Sequence, residues 1–418
     1  MNILIIEAYT DANIGSGALI ENSVKLIKKQ FPHADISILA HCPSAVAEFI
    51  HLPTYPEVFR LPLGLSRRTQ LGWLIMNLTW MLIHFIVRVL SLPISDRVYT
   101  FSRERQASLQ AIKRSDLCIS IGAERINDNF YLALPFSLFT LWMVKSYRKK
   151  LVLFPQTIGP FHFNLSTFFA KKVLKKCDRV YARDTRSKSM LETMGVSPKK
   201  SFFVPDIAIM QEPCEVDTVK EGIFRAEGIP SGSPISGISV MEWSYFKTPP
   251  GASNYQEYKR VVAEAVDYLI ERYDYHVVFV PTNLKMRGCR EDDVKTGDEI
   301  FELIRNKAKV TCIRKLFPPC QIKGLIASMD MFIATRMHAC IFATSAHVPT
   351  LSINYQFKLY EYMKLLGLED NTVDIEKLTF DKLKELIDYT YANREKIRVQ
   401  LMQKITDMKG IIREKLVI

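Results

Sequence analysis

At 418 residues, with 48% hydrophobic and 24% charged side chains, the chain is long and apolar enough for two or three domains, which excludes a single small domain and extensive disorder. Its formal net charge of +12 fits an anionic substrate, an anionic membrane face or nucleic acid. Nucleic acid is disfavoured, because Lys171-Lys172 and Lys175-Lys176 recur at helical spacing without interleaved aromatics and no zinc-finger or RNP-type signature is present.

The chain begins directly with the strand-like Asn2-Ile3-Leu4-Ile5-Ile6, without the basic and apolar regions of a signal peptide, and its eight cysteines form no CxxC pair. Both features lead to the expectation of a cytoplasmic protein with reduced thiols. In the first half, strands are expected near 3–6, 36–40, 117–121, 151–154, 180–182 and 202–204, with helical patterns between them that include 18–30 and 168–176. An apolar stretch at 71–87, flanked by Arg67-Arg68 and Arg88, stands apart. As a helix it covers roughly 25 Å, less than the roughly 30 Å core of a bilayer. It reads as a buried or partner-facing helix, a helix on the membrane surface, or a spanning helix, and the sequence leaves all three open.

Between 206 and 234 the pattern loosens into Gln211-Glu212-Pro213 and Gly228-Ile229-Pro230-Ser231-Gly232-Ser233-Pro234, a density of turn formers suited to a linker. A second series of strands follows near 235–241, 277–280, 310–313, 331–334 and 350–353, and from 380 to 417 the composition favours a terminal helix or helix pair. The expected class is therefore α/β. Its organisation is a Rossmann-like domain over 1–210 with an apolar helical insertion at about 67–92, a linker at 211–234, a second Rossmann-like domain over 235–370 and C-terminal helices over 371–418. Two such halves facing across a cleft would place ligands at the carboxyl ends of their strands.

Polar clusters follow the expected strands in order. The first strand runs into Glu7-Ala8-Tyr9-Thr10-Asp11-Ala12-Asn13-Ile14-Gly15-Ser16-Gly17-Ala18, a polar, glycine-bearing loop opening a helix, where backbone N–H groups can cradle an anion or a sugar phosphate. Later strand ends carry Gly122-Ala123-Glu124-Arg125, then Pro155-Gln156-Thr157-Ile158-Gly159-Pro160, then Arg183-Asp184-Thr185-Arg186-Ser187, then Val204-Pro205-Asp206. The second half carries Thr335-Arg336-Met337-His338-Ala339 between the apolar runs 331–334 and 339–343. A guanidinium grips a carboxylate or phosphate bidentately, a helix N-terminus favours anions, and an imidazole two residues on can carry a proton, so this junction points to acid catalysis on an anionic donor. Glu291-Asp292-Asp293 reads by default as a solvated charge run, and His347 and Asp206 read as structural. His162 is as readily a solvent-facing turn residue as a ligand contact.

With His347-Val348-Pro349 and Asn354-Tyr355-Gln356-Phe357-Lys358 added, the series from about residue 3 to residue 368 resembles the polysaccharide pyruvyl transferase family. The resemblance implies two Rossmann-like domains similar to GT-B glycosyltransferases, and transfer of a pyruvyl group from phosphoenolpyruvate to a sugar as a ketal. It implies Arg183, Arg336 and His338 as catalytic residues and Asn13, Gly15, Ser16, Gln156, Tyr355 and Lys358 as substrate-binding residues. Phosphoenolpyruvate would be a co-substrate, with no cofactor and no metal, and the acceptor would be a sugar of a polysaccharide or of a lipid-linked oligosaccharide. The chain departs from the family where Ser16 replaces the usual Asp and where Gly122-Ala123-Glu124 replaces a run of glycines.

In the implied mechanism His338 delivers a proton while Arg183 and Arg336, one from each half, hold the anionic groups. Two other functions suit the same architecture: a nucleotide-sugar glycosyltransferase, and a non-catalytic protein of this fold docked at the membrane through 71–87. If the basic charge and apolar helix bring the protein to the inner face of the cell membrane, a lipid-linked acceptor follows.

Overall fold

Apolar runs of four to six residues bounded by turns form strands that are buried on both faces, which requires helices to cover a parallel sheet from either side. The computed structural model, which describes residues 1–60, 66–130, 133–243, 251–289 and 291–418, builds two such sheets. They belong to two compact units: unit 1 comprises Met1–Thr10, Ser23–Val204 and Lys415–Ile418, and unit 2 comprises Asp11–Asn22 and Pro205–Glu414.

Unit 1 contains β1 (Asn2–Ala8), β2 (Asp35–Ala40), β3 (Thr54–Pro56), β4 (Leu117–Ser120), β5 (Ala123–Ile126), β6 (Lys150–Ile158), β7 (Arg179–Ala182) and β8 (Ser201–Phe203). The order is β3-β2-β1-β4-β6-β7-β8, every pairing is parallel, and β5 pairs with the distal half of β6. Thus β4 and β5 follow each other along β6, separated by Ile121 and Gly122. Gly122 sits at φ +93°, and a Cβ there would stand 2.6 Å from the Pro155 carbonyl oxygen, so only glycine lets the two backbones approach.

The helix Arg67–Val89 lies against unit 1 through Trp80, Asn77, His84 and Val87, all buried, and leaves its opposite side exposed. Arg105 donates to the Asn77 amide oxygen and lies 4.4 Å above the Trp80 ring. The tyrosine hydroxyl of Tyr99 donates to Asp96 at 2.7 Å, so His84 Nδ1, 3.2 Å away, donates to that hydroxyl and the ring is the neutral tautomer protonated on Nδ1. Of the three readings of this helix, burial on all sides is excluded, while a partner-facing or membrane-facing stripe remains: Asn77 and His84 turn inward and most of its aliphatic side chains turn outward.

Unit 2 contains β9 (Ile235–Ser239), β10 (His276–Phe279), β11 (Val310–Cys312), β12 (Met331–Ala334), β13 (Thr350–Asn354) and β14 (Thr372–Asp374) in the parallel order β11-β10-β9-β12-β13-β14. Its core gathers Ile238, Val266, Val277, Ile333, Leu351 and Leu383 around the helices Gly251–Tyr273 and Phe380–Ala392. The stretch 211–234, whose turn formers suggest a linker, lies within unit 2 and includes the short helix Val216–Val219.

The segment Asp11–Asn22 also belongs to unit 2 rather than to the first domain where its sequence position puts it. Its backbone supplies the reason. Ile14 N donates to Thr282 O at 2.8 Å, Leu284 N donates to Ala12 O at 3.0 Å, and Asn13 forms an antiparallel bridge with Asn283. At the other end of the chain the helix Arg394–Lys415 buries Ile397, Leu401, Ile405, Met408 and Ile412 at spacings of four and three. The tail beyond it joins unit 1, where the Tyr181 hydroxyl donates to Val417 O at 2.6 Å.

Candidate active site

In an open parallel sheet the natural binding place lies at the carboxyl ends of the two central strands whose connections leave in opposite directions. In unit 2 those strands are β9 and β12, and the Thr335–His338 junction sits at their ends. Thr335 N and Arg336 N both donate to Ser239 Oγ, at 3.1 and 3.3 Å, which ties the junction to β9. Arg336 then caps the helix Met337–Ser345 and His338 stands in its first turn.

Arg336 is buried, and its guanidinium is divided between two carboxylates. Nε donates to Asp293 Oδ1 at 3.1 Å, Nη2 donates to the same oxygen, and Nη1 donates to Glu291 Oε2. Asp293 also accepts from Thr282 N at 3.0 Å and from Asn283 N at 2.9 Å. The default reading of Glu291-Asp292-Asp293 as a solvated run is therefore corrected: the Asp293 side chain is wholly buried, Asp292 is half-buried, and Glu291 keeps 39% of its side chain exposed. Burial works against ionising Glu291, but Arg336 outweighs it and holds the carboxyl below its ordinary range. Burial likewise works against the charge on Arg336, and Asp293 and Glu291 overcome it and keep the guanidinium firmly protonated.

The same place receives the loop of Asp11–Asn22. Asn13 bridges Asn283, whose side-chain amide donates to Glu291 at 2.5 Å, and Asn13 Oδ1 accepts from Ser16 N at 2.8 Å, capping the helix Ile14–Gln30. Gly15 lies directly against His338: a Cβ built on it would stand 2.1 Å from Nδ1 and 2.2 Å from Cγ of the imidazole. On the far side, Lys358 Nζ lies 5.3 Å above the Tyr355 ring, within electrostatic range of Glu291, and Tyr355 within range of Arg336. Asn13, Gly15, Ser16, Arg336, His338, Tyr355 and Lys358 are thus brought together in unit 2. Beyond the ends of β13 and β14 opens a cavity of about 570 Å³ lined by Asn354, Gln356, Tyr360, Asp374, Lys377 and Lys382 among others.

Gln156 and Arg183 lie together in unit 1. Arg183 N donates to Gln156 O at 3.2 Å and Nε donates to Thr157 Oγ1 at 2.8 Å. Asp184 caps the helix Thr185–Thr193 by accepting from Ser187 N at 2.7 Å, while Ser187 Oγ accepts from Ile158 N at 2.9 Å. The Arg183-Asp184 to Ser187 motif is therefore the clasp that fixes the Gln156–Ile158 strand end. Gln156 itself is fully buried, and among the described residues neither atom of its amide has a hydrogen-bond partner.

Sequence reasoning placed Glu7 and Arg125 at polar strand ends but did not join them with Glu57 and His41 into a second ionisable cluster, at the carboxyl ends of β1 and β4, the central strands of the first sheet. Ser120 Oγ donates to Glu7 Oε2 at 2.6 Å, Arg125 pairs with Glu57 at 2.8 Å, and His41 Nδ1 is 3.6 Å from Glu57. Glu7 holds φ at +66°, a strained conformation for a side chain with a Cβ. Burial pushes its carboxyl above the ordinary range against the pull of Arg125. The available signal was a carboxylate ending the apolar run 3–6. His162 N donates to Asp128 Oδ2 at 2.6 Å, and Asp206 caps the turn Ile207–Met210. Among the described residues no group of three His, Cys, Asp or Glu side chains could hold a metal ion.

Comparison with known proteins agrees with this architecture. The chain is 21% identical to the amylovoran biosynthesis protein AmsJ of Erwinia amylovora over 413 residues, covering 97% of this chain and 95% of that one. Among solved structures it resembles the UDP-GlcNAc 2-epimerase of Methanocaldococcus jannaschii (TM-score 0.56, 13% identity, 93% of this chain and 92% of that one). It also resembles S. aureus MnaA bound to UDP (TM-score 0.59, 10% identity, 96% and 90%). These structural likenesses establish the fold: two parallel-sheet α/β domains of GT-B-like kind with C-terminal helices. The family model for polysaccharide pyruvyl transferase matches residues 13–356, a span that holds every site residue named above from Asn13 to Tyr355, and the chain belongs to that family of transferases.

Proposed function

We propose that this transferase moves the pyruvyl group of phosphoenolpyruvate onto two hydroxyls of one sugar residue, forming a ketal and releasing phosphate, with an exopolysaccharide unit on a lipid carrier as acceptor at the cytoplasmic face of the membrane. The observation that carries the reading is the meeting of the Asn13–Ser16 loop with Arg336 and His338 at the switch point of the second sheet. A donor bearing a carboxylate and a phosphate needs cations and a proton source, and this junction supplies both types of group.

The steps follow from the chemistry of the donor. His338 gives a proton to the methylene carbon, the central carbon gains oxocarbenium character, and a first sugar hydroxyl adds to it. Phosphate then leaves as the second hydroxyl adds. Of the two hydroxyl protons, one replaces the proton used at carbon and the other departs with phosphate. A helix N-terminus disfavours imidazolium and a bound phosphate favours it, so donor binding charges His338 when an acid is wanted.

Arg336 can offer Nη1 to the donor only by exchanging Glu291, the partly exposed partner, while Asp293 keeps the fork in place. The cavity beside Gln356 offers amide, carboxylate and ammonium groups that suit sugar hydroxyls. No cofactor or metal enters this scheme, and nucleic acid has no part in it.

The test is incubation of the purified protein with phosphoenolpyruvate and lipid-linked oligosaccharide from a producing cell, read by mass spectrometry for the added pyruvyl mass and by phosphate release. Nucleoside diphosphate release from a nucleotide sugar, without any need for phosphoenolpyruvate, would overturn the proposal in favour of glycosyl transfer.

A further inference from the structure

The helix Arg67–Val89 is amphipathic in the reverse sense for a helix facing water. Leu71, Ile75, Leu78, Leu82, Phe85 and Val89 recur at steps of four and three, so they form one stripe, and each is between 45% and 60% exposed. Asn77, Trp80, His84 and Val87 occupy the opposite side and are buried in unit 1. The apolar stripe therefore points away from the fold along a helix of roughly 34 Å, with Phe85 at its margin also touching Trp142.

By length and composition the stretch Arg68–Val89 could cross a membrane. Its inward contacts argue otherwise. Arg105 is bonded to Asn77 and stacked on Trp80, Arg88 Nη2 donates to Ser146 O at 2.6 Å, and Trp73 and Phe85 pack on Phe136 and Trp142 of the helix Leu134–Ser146 at ring separations of 5.1 and 5.2 Å. Crossing the bilayer would strip away every one of these contacts and leave Arg105 and His84 buried without partners.

Charge selects the partner. The helix carries no acidic residue and has the exposed Arg68 at its start. The helix Asn164–Leu174, which packs on the same Leu134–Ser146 helix and itself carries no acid, exposes Leu165, Phe168 and Phe169, has the exposed Lys171 and Lys172 in its last turn and is followed by the exposed Lys175 and Lys176. Aliphatic and aromatic side chains set among cations match an anionic lipid surface, in which the former enter the acyl boundary and the latter meet the headgroups. We infer that the outward stripe of Arg67–Val89, with the Phe168/Phe169 tip and its lysines, is a monotopic docking face for an anionic bilayer. The geometry of this face is independent of which donor the enzyme uses.

The test is co-sedimentation of the full-length protein with vesicles of phosphatidylcholine containing 30% phosphatidylglycerol, beside pure phosphatidylcholine, with sedimentation velocity run in parallel. Binding to the anionic vesicles is expected to fall about tenfold or more in Leu78→Asp/Leu82→Asp and several-fold in Lys171→Glu/Lys172→Glu, with far-UV circular dichroism unchanged in both. Absence of binding to either vesicle would overturn the inference. So would a dimer that the leucine variant converts to monomer without any vesicle binding, or membrane-bound protein that resists alkaline carbonate, since the last denotes a spanning helix.

Discussion

Gly15→Ala is the sharpest probe of the site, because one methyl group separates the demands of the helix from those of the chemistry. The new Cβ would lie 2.1 Å from His338 Nδ1 and 2.2 Å from Cγ, whereas ordinary contact begins at 3.4 Å, so the imidazole must retreat by more than an ångström. Displacing a reacting group by about 1 Å costs on the order of a hundredfold in rate. The backbone responds in the opposite direction, because Gly15 is in the first turn of Ile14–Gln30, where alanine is favoured over glycine by roughly 0.5–1 kcal/mol. Repacking the ring costs about 1–3 kcal/mol, so the net loss of stability stays within about 2 kcal/mol. The expected result is a kcat/KM for pyruvyl transfer about a hundredfold lower with a nearly unchanged urea midpoint. In a His338→Ala background, where the ring is gone, Gly15→Ala should add little further loss, which a double-mutant cycle measures. Activity within threefold of the parent, or full additivity in the cycle, would refute the claim that Gly15 exists to seat His338.

Arg336→Lys keeps the charge but loses the fork shared between Asp293 and Glu291, and phosphate-release kinetics should fall on the order of tenfold or more, with the denaturation midpoint lowered as Asp293 loses its second bond. Equal rates in the two proteins would remove Arg336 from the site. Gln156→Met replaces an amide without a partner among the described residues by an apolar chain of similar size, so chemical denaturation should show a gain of about 1–2 kcal/mol, and an unchanged or lower stability would mean that the amide is satisfied. Burial holds the His84 imidazole down at about 4, against about 6.5 unfolded, with Asp96 pulling weakly the other way. The unfolded chain therefore takes up a proton that the folded chain refuses: stability is intact above pH 6.5 and declines by about 3 kcal/mol as pH falls towards 4. His84→Phe, placed among Trp80, Phe139 and Trp142, should flatten that slope in urea titrations at pH 7 and pH 5.

The eleven strands expected from apolar runs all appear: the central ones are buried on both faces and so apolar throughout, and the partly exposed edge strands β8 and β11 lie in runs that are apolar enough to be seen. The missed strands are β3 and β14, three-residue edge strands that expose part of their surface, and β5, whose Glu124 and Arg125 hid it among turn residues. Register with a neighbour, rather than composition, makes each of them a strand. Within the site, Arg336 and His338 were legible because two polar residues interrupt an apolar pattern at a strand end. Their partners Glu291 and Asp293 were not, since a carboxylate buried against a distant guanidinium looks in sequence like any surface charge. The inward Asn77 and His84 were hidden for the related reason that the stretch 71–87 is apolar on every side, so its periodicity could not say which face the fold would claim.

The discontinuity of both units constrains how the polypeptide matures on the ribosome. Residues 11–22 are made more than 250 residues before their partners Thr282 and Asn283, and Tyr181 more than 200 residues before Val417. A cut between Val204 and Pro205 leaves each sheet with all its strands, yet a fragment starting at Pro205 lacks Asn13 and Gly15, and one stopping at Val204 lacks the tail that meets the Tyr181 hydroxyl. The imidazole of His338 therefore acquires its glycine neighbour only after the helix Met337–Ser345 has been made, and a product that stops short of that helix lacks the contact.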